Sequence, residues 1–199
     1  AISAVDAEIV CAGQSRDLFM KSVEFYNTIP VGVYEGDKLK KLWEKMISYD
    51  NFYRPGIMTY VWNKMFKRDL LLSAQMKVDN RISIGEDGAV TYPALLECKK
   101  VVVMENTAYH YRQREDSMLK QNTSFFNEAK KLRYLYDFLW LWAGNDANLQ
   151  KQIIDYVLSI AIMRSGGRLS HDTYSTFDKD YYDKNVVVYS AGTFGQQLV

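Results

Sequence analysis

Residues 82–112 do most to limit what this chain can fold into. Ile82-Ser83-Ile84 leads to Gly85, a residue that lets the backbone turn tightly into Glu86-Asp87. From Glu86 to about Glu97 the residues read as a helix carrying two acids in its first turn. Residues 100–104 (Lys-Val-Val-Val-Met) and 107–112 then read as strands. Helix and strand alternate in the manner of an α/β chain.

The flanks continue the alternation. Residues 8–13 read as a short apolar strand, and residues 17–34 as strand-like or irregular, rich in Phe, Val and Tyr. Residues 37–48 place Leu39, Leu42, Trp43, Met46 and Ile47 at helical spacing. Pro55-Gly56 breaks the chain. Residues 57–66 are expected to form a second helix, which 68–72 continues or turns out of. Two longer helices are expected over 124–142 and 147–163, the second ending at Gly166-Gly167. Residues 168–184 are polar and tyrosine-rich, without a clear period, and read as a linker.

Composition narrows the classes of function. The 199 residues are 48% apolar, enough for a sizeable core and against global disorder. The net charge of +1 gives no bulk electrostatic case for nucleic-acid binding. Cys11 and Cys98 lie far apart with no second cysteine or ligand cluster near either. They read as two reduced, buried thiols of a cytosolic protein. No apolar run approaches the length that spans a bilayer.

Glu86-Asp87 is the leading candidate for chemistry. At a helix N-terminus, free N–H groups and the dipole favour negative charge and hold carboxylates in place. One reading is an acidic N-cap. The other is a general base, a carboxylate within hydrogen-bond reach of the proton it removes. Upstream lies Trp62-Asn63-Lys64-Met65-Phe66, and downstream Tyr109-His110-Tyr111-Arg112, then Asp116-Ser117-Met118. Trp62 offers a face on which a sugar ring can stack, or else packs in the core. Lys64 either brings charge to a phosphate or acceptor, or pairs with Glu86 or Asp87. Strand alternation sets Tyr109 and Tyr111 on one face, His110 and Arg112 on the other.

This ordered set, a W-x-K-x-F segment, a G-E-D turn, then Y-x-Y-R with a Ser five residues on, resembles the second half of a family 2 glycosyltransferase. These are inverting, nucleotide-sugar-dependent enzymes of the GT-A fold. Ala7-Glu8-Ile9-Val10-Cys11 is similar to the strand after that family's metal-binding motif, and the resemblance covers roughly residues 5–121. It implies an α/β fold, a partial GT-A domain followed by an α-helical segment. It assigns Asp87 as the catalytic base and Glu86 as the residue that orients it or contacts the acceptor. It implies substrate contacts for Trp62, Lys64, Tyr111, Arg112 and Ser117. Arg112 or Arg114 would balance charge on the leaving diphosphate. His110 would be a metal or phosphate ligand, or else a surface residue. A divalent metal (Mg or Mn), a nucleotide-sugar donor and a glycan or lipid-linked acceptor are the implied cofactor and partners. The family's Asp-x-Asp metal motif belongs upstream of Ile9, so the main metal ligands are expected outside this sequence. The implied place of action is the cytoplasm, at the inner face of the membrane where surface polysaccharide is built.

The organisation expected is residues 1–121 as the acceptor-side half, 122–167 as a helical extension, 168–184 as linker, and 185–199 as the first strand and glycine turn of a Rossmann-like domain. That last stretch, Val186-Val187-Val188-Tyr189-Ser190-Ala191-Gly192-Thr193-Phe194-Gly195, has Ser190 where the first glycine of G-x-G-x-x-G belongs. Asp178-Lys179-Asp180 is formally a D-x-D but sits in the linker, and reads as solvated surface charge. The basic amphipathic segment with Lys130, Lys131 and Arg133 would either rest on a membrane surface or pack on its helical neighbour. Two other functions fit a chain of this kind: a noncatalytic glycan- or protein-binding scaffold, and a nucleotide-binding protein built on the C-terminal fingerprint.

Overall fold

A computed structural model describes residues 6–18, 21–50, 54–112 and 125–165. Within them the protein is mixed α/β, with two mixed sheets and five helices. The strands are β1 (Ile9–Cys11), β2 (Gln14–Leu18), β3 (Lys21–Phe25), β4 (Gly32–Glu35), β5 (Lys64–Phe66), β6 (Lys100–Val103) and β7 (His110–Arg112). The helices are α1 (Asp37–Trp43), α2 (Arg68–Lys77), α3 (Glu86–Glu97), α4 (Phe125–Ala143) and α5 (Ala147–Ser165).

The first sheet runs β4-β6-β1-β5 and the second β3-β2-β7. Each holds one parallel pair: β1 with β6, Ile9 opposite Val101, and β2 with β7, Ser15 opposite His110. Both pairs come from the same two stretches of chain, since β2 follows β1 and β7 follows β6. The bend between sheets falls at Gly13, whose N–H donates to the Asn106 carbonyl at 2.7 Å. A Cβ there would come 2.5 Å from the Phe25 carbonyl oxygen, so only glycine lets these backbones meet.

One apolar core joins both halves of the chain. Ile9 and Cys11 of β1, Val101 and Val103 of β6, and Tyr92 and Leu95 of α3 pack with Leu132, Leu135 and Leu139 of α4 and Ile153 and Ile160 of α5. The apolar face of α4 is therefore spent on α5 and α3. Two of its basic residues have partners, Lys131 at 3.5 Å from Glu128 and Arg133 at 2.7 Å from Asp137. No helix among the described residues is long and apolar enough to cross a membrane.

Three expected elements differ. Residues 57–66 are not a helix: 57–63 form a loop and Lys64–Phe66 is β5, antiparallel to β1 with Lys64 opposite Cys11. The reason lies in distant partners for the loop's backbone. Met58 N–H donates to Asn27 Oδ1 at 2.9 Å, and the Thr59 carbonyl accepts from Thr91 Oγ1 at 2.7 Å. Groups bonded this way do not need helical bonds. Trp62 and Lys64 accordingly sit on a loop and a strand.

The helix expected over 37–48 stops at Trp43, because Gln152 of α5 bonds the chain beyond. Its Oε1 accepts from Ile47 N–H at 2.9 Å and its Nε2 donates to the Trp43 carbonyl at 3.0 Å. Residues 68–72 belong to the longer α2. The glycine pair at 166–167, the linker with Asp178-Lys179-Asp180 and the C-terminal fingerprint lie outside the described residues.

Candidate active site at the Glu86-Asp87 turn

Helix α3 opens as its sequence requires. Gly85 adopts a left-handed conformation (φ 72°, ψ 21°), and Glu86 and Asp87 follow in the first turn. The N-cap is Gly85, with no side-chain cap bond. Asp87 is therefore not a helix cap. Its half-buried carboxylate faces the Val61 N–H of the 57–63 loop. Burial raises its pKa, and the adjacent Glu86 charge raises it further. The Val61 N–H and the Lys64 charge oppose the shift. Glu86 is exposed.

Lys64 holds the other side of this loop. Its ammonium donates to the Met58 carbonyl at 2.5 Å, the Tyr60 carbonyl at 2.6 Å and Asn63 Oδ1 at 2.9 Å. An ammonium has three N–H donors, and these contacts occupy them all. The residue is half-buried as a whole, with its charged end inside. Burial pulls its pKa down to about 8, while the charges of Cys11 and Asp87 oppose this. Lys64 thus shapes the loop and acts on Asp87 through its field. It forms no ion pair with either acid at salt-bridge distance. Cys11, beside it, has its thiol pushed up to about 11 by burial.

Trp62 projects from the same loop into a group of tyrosines. Its ring stacks on Tyr60 at 4.7 Å, on Tyr109 at 4.2 Å and on Tyr111 at 5.5 Å between centroids. Tyr109 is 42% exposed, while Trp62 and Tyr111 are half-buried. Tyr109 therefore presents the most open ring of the stack. Arg16 of β2 donates to the Tyr60 hydroxyl at 3.1 Å and lies over the Phe25 ring at 4.6 Å.

The opposite face of β7 carries His110 and Arg112, both exposed. His110 Nδ1 lies 3.2 Å from both oxygens of Asp17, to which Ser22 also donates at 2.5 Å. The Ser22 bond first, and then His110, keep the Asp17 carboxyl below its usual range, with Arg112 adding a smaller contribution. Strand alternation thus separates the tyrosines from His110 and Arg112 as their sequence order requires. No group of three or more His, Cys, Asp or Glu side chains that could hold a metal exists among the described residues. His110 and Asp17 do not make a metal site on their own. Ser117 and Arg114 lie outside the described residues.

The structure therefore gathers Asp87, Lys64, Trp62 and Tyr111 around one loop, and sets His110 and Arg112 on the other face of β7. It adds Val61, Tyr60, Tyr109 and Arg16, none of which the sequence reading assigned a role. Tyr60 and Tyr109 carried a signal, being aromatic residues two positions from Trp62 and Tyr111. Val61 acts through its backbone and carried none. A separate open hollow of about 240 Å3 is lined by Trp43, Leu96 and Leu149 with Lys40, Glu44, Asp146 and Asn148. It reaches α3 at the end opposite Asp87 and holds none of the candidate residues. Compared with known proteins, the chain matches no protein-family model, no curated protein and no solved structure.

Proposed function

We propose that this chain is the acceptor-side part of an inverting glycosyltransferase of the GT-A type, with Asp87 as its general base. The observation that carries the reading is the Asp87 carboxylate of α3, half-buried and raised in proton affinity, facing the 57–63 loop at Val61, whose next residue is the stacked Trp62. In the reaction, an acceptor hydroxyl gives its proton to Asp87 as its oxygen bonds to the anomeric carbon of the donor. The bond from that carbon to the nucleotide diphosphate breaks on the opposite face, and the diphosphate leaves with the electron pair. A carboxylate with raised proton affinity suits this step better than a solvated aspartate.

The aromatic stack supports a glycan acceptor, because ring faces match the apolar faces of sugars. Glu86, exposed beside Asp87, would orient it or contact the acceptor, and exposed Arg112 carries charge suited to a leaving diphosphate. The divalent metal of such enzymes, Mg or Mn, would neutralise the diphosphate; the described residues do not supply its ligand set. The acceptor would be a glycan or a lipid-linked glycan at the cytoplasmic face of a membrane, in surface polysaccharide synthesis.

The test is Asp87→Asn in the full-length protein, by steady-state kinetics with nucleotide-sugar donors and a donor-binding titration. A loss in kcat of roughly a hundred- to ten-thousandfold is expected, as for removal of a general base, with donor binding retained. Near-normal turnover would overturn the reading.

A further inference from the structure

Gly88 lies inside α3, where glycine is less favourable than alanine. Its surroundings account for it. A Cβ at Gly88 would lie 2.9 Å from Cζ of Tyr156 and would collide with the Tyr156 hydroxyl. A Cβ at Gly85 would lie 3.3 Å from the same hydroxyl oxygen and 2.5 Å from Leu135 Cδ2. The two glycines on either side of Glu86-Asp87 thus form a cradle with room for one phenol. That phenol comes from α5, in the helical pair at the end of the described chain.

Tyr156 reaches the other wall as well. The Thr59 side chain lies on that side and acts on its hydroxyl, partly opposing the rise in its pKa. Thr59 sits two residues before Val61, whose N–H faces Asp87, and its carbonyl is bonded by Thr91 of α3. The ring also packs edge-on against Tyr92 at 5.4 Å. One side chain therefore fills the first turn of α3 and reaches the loop that faces the Asp87 carboxylate. Burial holds the phenol's pKa well above its ordinary value, and the Asp87 charge adds to this. It stands beside the carboxylate as a neutral group.

From this geometry we infer that Tyr156 is a positioning residue for Asp87, wedged between the Gly85–Gly88 turn and the Thr59–Val61 loop. The helical pair then belongs to the site. That the placement serves proton removal in sugar transfer rests on the reading proposed above.

The test follows the Asp87 carboxyl by 13C NMR across pH in the full chain, its signal assigned by loss in Asp87→Asn. The variants are Tyr156→Phe, Gly88→Ala and the two together. Gly88→Ala should move the Asp87 midpoint by about one unit, the ordinary spread that a changed protein environment produces. Adding Tyr156→Phe removes the oxygen that the new methyl meets most closely but leaves Cζ 2.9 Å away, so it should bring the midpoint part of the way back toward that of the parent. If Gly88→Ala does not fold, Tyr156→Phe alone decides. Its ring still fills the cradle, so a shifted Asp87 midpoint with a near-parental Tm supports the inference, and an unmoved midpoint overturns it. Where Gly88→Ala folds, strictly additive effects of the two substitutions also overturn it. None of these midpoints needs a substrate. Shifted midpoints with normal turnover in Asp87→Asn would end the glycosyltransferase reading and leave the role of Tyr156 standing. Unmoved midpoints with a large Asp87→Asn defect would do the reverse.

Discussion

Asn63 and Ala12 exchange two hydrogen bonds: Ala12 N–H donates to the Asn63 carbonyl at 3.0 Å, and Asn63 Nδ2 donates to the Ala12 carbonyl at 2.9 Å. The side-chain oxygen of Asn63 accepts from Lys64. The buried amide therefore ties the end of the candidate site loop to the chain just past β1.

Asn63→Ala should cost about 1–3 kcal/mol, because one buried Lys64 N–H loses its acceptor while the Ala12 carbonyl keeps Asn27 Nδ2 at 3.1 Å. Asn63→Asp keeps the acceptor for Lys64 and loses the donor to Ala12, so it should fall between parent and alanine variant. Urea unfolding of the three proteins at one pH checks the order.

Lys64 gives stability a distinctive dependence on alkaline pH. Its pKa is about 8 in the fold and 10.5 as a free side chain. Between these values the unfolded chain binds more protons, so this group makes stability rise with pH across the window. As pH falls through the folded pKa that contribution is lost. Lys64→Met removes the titration together with three hydrogen bonds. The stability difference between parent and Lys64→Met should widen as pH rises from about 8 to about 10. A difference that stays flat over that range would show that the Lys64 ammonium is not buried as described.

Asp87 works in the opposite sense. Its pKa lies above the ordinary 3.8 in the fold. The folded state therefore binds the proton more tightly, and the contribution to stability is complete below the unfolded pKa and lost as pH rises through the folded one. An ionised Asp87 burdens the fold at neutral pH. Asp87→Asn keeps an acceptor for the Val61 N–H and carries no charge, so at neutral pH it should equal or exceed the parent in stability. Below the unfolded pKa the two should converge. Chemical denaturation at pH 3 and pH 7 measures both limits. A variant less stable than the parent at pH 7 would mean that ionised Asp87 contributes to the fold.

The helical pair is locked by a buried ion pair. Glu128 of α4 and Arg164 of α5 meet at 2.6 Å, their side chains only 3% and 17% exposed. Arg164→Met leaves the Glu128 charge inside without its closest cation, with Lys131 still at 3.5 Å. Loss of one partner of a buried pair costs about 3–5 kcal/mol, whereas replacing both is often close to neutral. Arg164→Met should therefore lower the Tm clearly, and Glu128→Gln/Arg164→Met should recover much of it. Calorimetry on both variants tests this.

Sequence alone determined the elements whose reasons are local. A glycine able to take a positive φ, two acids after it and an apolar run gave α3 its span from Glu86 to Glu97. The Lys-Val-Val-Val run gave β6, and alternation put Tyr109 and Tyr111 on one side of the chain, where both stack on Trp62. Periodicity also marked the two long helices. It was misleading over 57–66 and 37–48, because the backbone there is bonded by Asn27, Thr91, Lys64 and Gln152. The tertiary structure decided those stretches, together with the placing of Val61 against Asp87, the lowered pKa of Lys64 and the seating of Tyr156 against Gly88. The physical reason is range. Helix and strand patterns register partners a few residues away. These bonds, and the loss of water that shifts each pKa, form only when distant segments pack together.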